Sequence, residues 1–161
     1  MDNEAMIRRC WQLQRSAAVE SLEITADGFV DIARASDLDE VYMEGQVLRA
    51  FALAISAGQA LDHVAYQWCM TRFENFLYWE RTVVDKHHRR RGIGTDMFDA
   101  LLLKAKAQNN EMLLCQIHDR PVNKVGHQFV QSLGFTSIES VMLPSREIVT
   151  MYQRSIAMAT P

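Results

Sequence analysis

Apolar residues recur along the chain at two spacings, one typical of helices and one typical of strands. Helical spacing or helix-capping residues cover residues 4–18, 25–33, 66–73, 94–109 and 123–133. Alternating or continuous apolar, β-branched and aromatic residues cover residues 38–43, 47–55, 76–84, 112–117, 135–143 and 147–154. Glu44-Gly45 predicts a hairpin turn, and Gly134 suits the left-handed residue that ends a helix. This order predicts an α/β or α+β fold in which helices cover both faces of a mixed sheet.

The length and composition fit a single globular domain over residues 1–161, with 48% hydrophobic and 23% charged residues. Its 17 basic and 20 acidic residues give a net charge of −3, which argues against a protein that acts mainly on nucleic acid or anionic membranes. No apolar run approaches the ~18 residues that a membrane span needs. The acidic start, Met1-Asp2-Asn3-Glu4, is unlike a signal peptide.

The three cysteines, Cys10, Cys69 and Cys115, are odd in number and far apart, which argues against a disulfide framework or a zinc site. A reducing cytoplasm is therefore the expected location. The five histidines form no pair at helical spacing with a nearby carboxylate, so no metal site is expected.

The segment from Thr82 to Thr95 carries the clearest chemistry: a β-prone run, a basic loop, two glycines and an amphipathic helix. The first N–H groups of a helix have no partner within it, and its dipole favours an anion there by roughly 0.3–2 kcal/mol. Gly92 and Gly94 let the backbone approach a phosphate closely. Lys86 and the three following arginines add charge-assisted contacts of about 1.5–3 kcal/mol each. Together these features predict a pyrophosphate-binding site.

The same residues would also suit two different roles. The simpler one is a solvated basic run followed by a glycine turn, and the second is a nucleic-acid patch. The run from Lys86 to Arg91 has little aromatic interleaving and the chain is acidic, which disfavours nucleic acid. The strand before the run and the amphipathic helix after it favour the pyrophosphate site.

Arg89-Arg90-Arg91-Gly92-Ile93-Gly94 resembles the Arg/Gln-x-x-Gly-x-Gly/Ala signature of the GCN5-related N-acetyltransferase (GNAT) superfamily. Asn123, followed by Phe129 and Leu133-Gly134-Phe135, resembles that family's Asn-helix-Leu-Gly-Phe segment. The matching order of elements covers roughly three quarters of the chain. Residues 73–84 also resemble a bacterial predicted-acetyltransferase branch of the superfamily.

The resemblance implies a mostly antiparallel sheet with two splayed, parallel central strands. It also implies a first edge strand, which this chain lacks because it enters a helix within its first residues. An unpaired strand at the edge of a sheet can pair with another chain, so a homodimer is a plausible hypothesis. Acetyl-CoA is the implied co-substrate, with its pantetheine on the strand and its pyrophosphate on the loop. The implied cofactor contacts are Thr82, Val83, Val84, Arg89, Arg90, Arg91, Gly92, Ile93, Gly94, Thr95 and Asn123.

The family transfers the acetyl group directly to an amine, which must first lose a proton because an ammonium group has a pKa near ~10.4. Glu80, within the β-prone run, is the candidate base, and an ion pair with a basic neighbour is its equally weighted alternative. Asn123 is either a plain helix cap or a contact of the pantetheine. Cys115 is expected to be a small core residue and not a nucleophile.

The general acid departs from the family pattern. Many members carry a tyrosine seven residues after the asparagine, where this chain has Val130. His127, nearly one turn earlier, and Tyr152 on the last strand are the candidate substitutes. A surface histidine and a core tyrosine are the plainer roles for these two residues.

The expected reaction is acetyl transfer to a primary amine of a small molecule or a peptide. The alternative is a non-catalytic acyl-CoA-binding sensor or interaction module, which Val130 would suit. Five aromatic residues could line an acceptor pocket or belong to the core, and the core is favoured: Tyr66, Trp68, Phe73, Tyr78 and Trp79.

Overall fold

The computed structural model describes residues 3–17, 24–36 and 40–156. The helices in these ranges are α1 (Asn3–Ser16), α2 (Ala26–Ala35), α3 (Val64–Arg72), α4 (Ile93–Ala107) and α5 (Lys124–Ser132). The strands are β1 (Val41–Glu44), β2 (Val47–Ser56), β3 (Phe76–Val84), β4 (Met112–Arg120), β5 (Thr136–Met142) and β6 (Ile148–Ser155). They form one sheet in the order β1-β2-β3-β4-β6-β5.

The sheet is mostly antiparallel. β1 with β2, β4 with β6 and β5 with β6 are antiparallel pairs. β3 and β4 are parallel and pair from Phe76↔Met112 to Trp79↔Cys115, beyond which each strand continues. The predicted mixed α/β class with a parallel central pair is confirmed.

The chain divides into two compact units. The first unit comprises Met1–Ile55 and Glu80–Lys104, and the second comprises Ser56–Trp79 and Ala105–Pro161. The chain passes from one unit to the other three times, at the end of β2, inside β3 and inside α4.

In the first unit, α1 and α2 bury the apolar stripes that their sequences predict. Ile7, Cys10 and Leu13 are the buried residues of α1. On α2, Phe29 is fully buried and its ring meets that of Phe51 edge-on, with 6.0 Å between centroids. The Thr25 side chain accepts a hydrogen bond from the Gly28 N–H (3.1 Å), which confirms the predicted start of α2.

The predicted hairpin is also present. Glu44 pairs with Val47, and the intervening turn has Gly45 at φ 61°. The strand predicted over residues 38–43 begins at Val41 in the structure, and its first two residues lie outside the described ranges. Residues 3–16 and 26–35 are helical, so β1 is the first strand of the described chain, as expected from the missing edge strand.

In the second unit, β4 buries Leu113, Leu114 and Cys115 almost completely. It runs three residues beyond the predicted end because β6 pairs with it as far as Arg120↔Ile148. Gly134 has a φ of 90°, which confirms the left-handed residue after α5. None of the helices in the described ranges is both long enough and apolar enough to cross a bilayer.

Candidate functional site

The basic loop, residues 85–92, joins the end of β3 to the start of α4. The Asp96 N–H donates to the Gly92 carbonyl (3.0 Å), so the N–H groups of Ile93, Gly94 and Thr95 precede the first intrahelical bond. Gly92 has a φ of 82°, and a β-carbon there would meet no heavy atom within 4 Å. The positive φ, and not crowding, therefore requires glycine at position 92. The space beside this residue is open.

Asp85 holds the loop in place through hydrogen bonds. Its carboxylate accepts from the His87 N–H (2.9 Å) and from Arg49 Nη1 (2.9 Å), and its carbonyl accepts from the His88 N–H (2.8 Å). The His87 hydrogen bond first, and then Arg49, hold the pKa of Asp85 below its usual value. His88 is buried and lies 3.2 Å from Glu44 Oε2, through its Nε2. Hydrogen bonds from Arg49 and then His88 likewise lower the pKa of Glu44.

The arginines of the loop divide into two groups. Arg89 Nη2 donates to the Ala17 carbonyl (2.9 Å), and its Nε donates to the Val84 carbonyl (3.4 Å), which ties the loop to the residue after α1. Arg90 and Arg91 are exposed, and Arg90 has a positive φ of 60°. Lys86 is exposed as well. Arg89 is exposed too, so the loop offers four exposed cations beside the start of α4, one of which donates to backbone carbonyls.

Glu80 is buried and forms a two-pronged ion pair with Arg81. Arg81 Nη2 donates to Glu80 Oε1 at 2.8 Å, and its Nε donates to Oε2. Arg81 also donates to Gln14 Oε1 (3.1 Å). The ion pair expected as the alternative role of Glu80 is therefore present, and it favours the ionised carboxylate.

His127 and Tyr152, two separate candidates from the sequence, lie against each other in the second unit. His127 Nδ1 is 2.7 Å from Tyr152 Oη. His127 Nε2 faces two oxygens, Asp119 Oδ1 at 2.9 Å and the His118 carbonyl at 3.0 Å. Two acceptors in front of Nε2 place the proton of a neutral imidazole there, which leaves Nδ1 to accept from the tyrosine hydroxyl. We call Asp119, His127 and Tyr152 the His127 cluster.

The His127 cluster lines a cavity of about 390 Å³. Gln131 Nε2 also donates to Tyr152 Oη (3.4 Å), and Thr150 donates to Asp119 Oδ2. Burial raises the pKa of Tyr152, against a smaller opposite effect of the Gln131 hydrogen bond, so the hydroxyl stays protonated at neutral pH. Sequence reasoning missed Asp119, because the apolar run that marked β4 ends before it.

Asn123 caps α5. Its Oδ1 accepts from the Gly126 N–H (2.9 Å), and a β-carbon at Gly126 would lie 2.6 Å from Asn123 Nδ2. Val130, at the position where many family members carry tyrosine, is 2% exposed. The capping role expected for Asn123 is present, and a small residue at position 126 accommodates it.

The aromatic segment of the second unit packs as core. Tyr66 and Tyr78 are fully buried, with ring centroids 5.9 Å apart, and Trp68 and Trp79 are also buried. Burial raises the pKa of Cys10 and Cys69 to about 12 and raises that of Cys115, so these thiols are poor nucleophiles. No group of three histidine, cysteine or acidic side chains within residues 3–17, 24–36 and 40–156 could hold a metal ion.

Residues 45–137 match the family model described as the acetyltransferase (GNAT) domain. Ard1 from Thermoplasma volcanium has a similar fold, with a TM-score of 0.71 at 15% identity, covering 98% of this chain and 95% of that chain. The ribosomal-protein-S18-alanine N-acetyltransferase from Escherichia coli gives a TM-score of 0.67 at 14% identity, with coverages of 97% and 91%. An aminoglycoside 6′-N-acetyltransferase complexed with coenzyme A gives 0.67 at 11% identity, with coverages of 98% and 94%. No curated protein matches the chain in sequence.

The family model covers more than half of the chain and includes both the basic loop and α5. The predicted enzyme class, an acyltransferase with acetyl-CoA as its co-substrate, is thereby confirmed. The chain belongs to the family of acetyltransferase (GNAT) domains.

Proposed function

We propose that this chain is an N-acetyltransferase that moves the acetyl group of acetyl-CoA directly to a primary amine of a small molecule or a peptide. The observation that carries the proposal is the start of α4, where N–H groups that precede the first intrahelical bond, a glycine with positive φ and four exposed cations occur together. Two proteins of similar fold are N-acetyltransferases, one of a ribosomal-protein alanine and one of an aminoglycoside. One further proposal is that residues 1–161 act as a single acetyltransferase domain.

The pyrophosphate of the coenzyme is proposed to bind the N–H groups of Ile93, Gly94 and Thr95. Arg90 and Arg91, both exposed, supply charge-assisted contacts to its oxygens. Arg89 acts differently from the other two, since its guanidinium is engaged by the Ala17 and Val84 carbonyls and so sets the shape of the loop. Gly92 provides the turn into the helix.

The pantetheine arm is proposed to pair with the backbone of Thr82, Val83 and Val84, which are only partly buried. For Asn123, contact with this arm would come in addition to its role as a cap. Direct transfer needs no acyl intermediate on a side chain, in keeping with the burial of all three cysteines.

Proton transfer has two sets of candidates. Glu80 is one, and its carboxylate already accepts hydrogen bonds from Arg81. His127 and Tyr152 are the other, and the hydrogen bond between them supports their acting together.

One observation favours a non-catalytic acyl-CoA sensor as the second candidate function. Val130 is buried at the position of the family's usual acid, and a valine cannot donate a proton. A sensor would bind coenzyme A and release no free thiol from acetyl-CoA with any amine.

The test replaces the two exposed arginines that follow Arg89, in the variant Arg90→Ala/Arg91→Ala, and measures coenzyme A affinity by calorimetry. We expect the Kd to rise about tenfold or more, since each charge-assisted contact contributes about 1.5 kcal/mol at least where its geometry is good. The matched control is Arg8→Ala/Arg15→Ala, which removes two exposed arginines of α1 and the same charge. An unchanged Kd in the loop variant would contradict the proposed pyrophosphate site.

Turnover separates the enzyme from the sensor. Wild-type protein is incubated with acetyl-CoA and a panel comprising spermidine, an aminoglycoside and a peptide with a free N-terminal alanine, and released thiol is measured. We expect release with at least one amine. Coenzyme A binding without release from the whole panel would favour the sensor.

Two further features are proposed. The protein is expected to act in the cytoplasm, where its three free cysteines would stay reduced. It is also proposed to form a homodimer through an outer strand of its sheet.

A further inference from the structure

Four polar side chains tie the β1–β2 hairpin to the basic loop within the first unit. Arg49 lies between two carboxylates: its Nε donates to Glu44 Oε2 (2.9 Å), and its Nη1 donates to Asp85 Oδ2 (2.9 Å). His88 contacts the same oxygen of Glu44 through its Nε2, at 3.2 Å. We call Glu44, Arg49, Asp85 and His88 the hairpin network. Two of its members belong to the hairpin and two to the loop.

His88 is the buried member of an otherwise open loop. It is 9% exposed, whereas its neighbours His87 and Arg89 are exposed. Its Nδ1 lies 3.7 Å from Asp85 Oδ2, so the imidazole ring is placed between the two carboxylates of the network. A buried contact of this kind restricts the backbone beside it, because the loop cannot move without breaking the contact.

The backbone of the loop needs such restriction. Arg90 has a φ of 60°, a left-handed conformation that costs free energy in a residue with a side chain and persists only where the surroundings hold it. Contacts of the two preceding residues supply the hold. His88 belongs to the hairpin network, and Arg89 Nη2 donates to the Ala17 carbonyl (2.9 Å).

We propose that the hairpin network holds the basic loop in the shape that binds the coenzyme, so that Glu44 and His88 are positioning residues for the pyrophosphate. The inference rests on the proposed function and deepens it. Arg90 and Arg91 follow His88 directly after Arg89, so the point at which the loop is held sets where their side chains start. A loop released from the network takes more shapes, and ordering it on binding lowers the affinity.

The charge of Glu44 makes the proposal easy to separate from a simple electrostatic effect. A carboxylate near a phosphate site repels the phosphate. If Glu44 acted through its charge alone, its removal would strengthen coenzyme binding. Positioning predicts the opposite sign, since the loss of the carboxylate releases both Arg49 and His88 from their shared acceptor.

The first test measures the coenzyme A affinity of Glu44→Ala and His88→Ala by calorimetry. We expect the Kd to rise about fivefold in each, the effect of losing one hydrogen-bonded contact. The Glu44 side chain is 55% exposed, so its truncation leaves no internal cavity. His88→Gln should recover most of the affinity, because an amide N–H₂ can donate to Glu44 in place of the imidazole.

The matched control is Asp31→Ala, which removes the same charge as Glu44→Ala from an exposed position of α2 in the same unit. Its Kd should stay within about twofold of wild type, as expected for a surface substitution. Melting temperatures of all variants report that each one is folded at the temperature of the titration.

The second test asks whether His88 acts through the arginines that follow it. His88→Ala is added to Arg90→Ala/Arg91→Ala, and the Kd is compared with that of the variant lacking the arginines alone. We expect a further rise of less than about twofold, because the side chains that the network directs are gone. A role in general stability would raise the Kd by the same factor in both backgrounds.

The outcomes separate the two proposals. If Arg90→Ala/Arg91→Ala weakens coenzyme A binding while Glu44→Ala and His88→Ala bind as tightly as wild type or more tightly, the proposed function stands and the positioning role is overturned. Equal factors in the two backgrounds overturn it as well. If wild type does not bind coenzyme A, or binds it no better than the variant without the two arginines, the pyrophosphate site itself fails and the positioning role fails with it.

Discussion

At the residue scale, Asp85 holds the basic loop through four hydrogen bonds. Its side chain holds the His87 N–H and the Arg49 guanidinium, while its backbone bonds to both Arg49 and His88. Aspartate is common at such turns because its side chain can accept a hydrogen bond from the backbone N–H two residues further along the chain. The exposed cations that follow depend on this turn for their direction.

Asp85→Asn should lower the free energy of unfolding by about 1 kcal/mol at pH 7, the usual net value of a hydrogen-bonded contact. The pKa of Asp85 is lower in the folded protein, so its stabilisation is present above the unfolded value near ~3.9 and is lost as pH falls through the folded value. The difference between variant and wild type should therefore vanish at low pH. Urea unfolding from pH 3 to pH 7 measures it.

The control for this prediction is Asp62→Asn, which makes the same charge change at an exposed position of the second unit. It should leave the unfolding free energy within about 0.5 kcal/mol of wild type, as expected for a surface substitution. A pH-independent deficit in Asp85→Asn would show that the carboxylate charge is not what stabilises the loop.

Single residues were predictable from sequence where local chemistry decides their role. Gly92 and Gly134 have positive φ because the backbone turns there, and Thr25 and Asn123 cap helices that begin beside them. The hydrogen-bond partner of Arg89 could not be predicted, since the Ala17 carbonyl lies 72 residues away along the chain. Asp119 was missed because the apolar run that marked β4 ends before it.

At the scale of elements, periodicity located the helices and strands but not all of their ends. β3 has the predicted bounds, because its β-prone residues stop where the charged loop starts. β4 extends beyond its apolar run, because pairing with β6 keeps the polar residues His118 and Arg120 in the sheet. Tertiary pairing thus placed Asp119 within a strand, and the cavity residues depend on that placement.

The cap of α5 offers a test at this scale. Asn123→Ala removes the acceptor of the Gly126 N–H and should cost about 1 kcal/mol of stability, whereas Asn123→Asp keeps an acceptor and should keep the stability. Thermal unfolding measures both variants. Equal melting temperatures for Asn123→Ala and wild type would contradict the capping role.

Coenzyme A affinity of the same two variants separates the roles left open for Asn123. The aspartate retains the cap but lacks the amide N–H₂, so a drop in affinity in Asn123→Asp at unchanged stability would reveal a contact through that amide. Unchanged affinity would leave the residue as a cap alone.

At the scale of the whole molecule, the strand order has β1 and β5 as its outer strands. β1 has only four residues, and its Tyr42 side chain is 41% exposed. An outer strand presents unpaired backbone groups that another copy of the chain can bind. In the described chain, the two helices that precede β1 contribute no strand that could pair with its outer edge.

We expect light scattering at micromolar concentration to give the mass of a dimer. Tyr42→Lys, which puts a charge on the outer strand, should shift the equilibrium toward monomer, whereas Met70→Lys puts the same charge on α3 and serves as control. A monomeric mass for wild type over the whole concentration range would remove the dimer.

The hydrogen bond from Arg89 to the Ala17 carbonyl links the residue after α1 to the loop that is proposed to bind the pyrophosphate. Shortening the chain through Ala17 would leave the guanidinium without that acceptor, and the loop would be free to take other shapes. A preparation trimmed through Ala17 would be expected to bind nucleotide-bearing ligands less tightly, because the loop proposed to hold them loses this anchor.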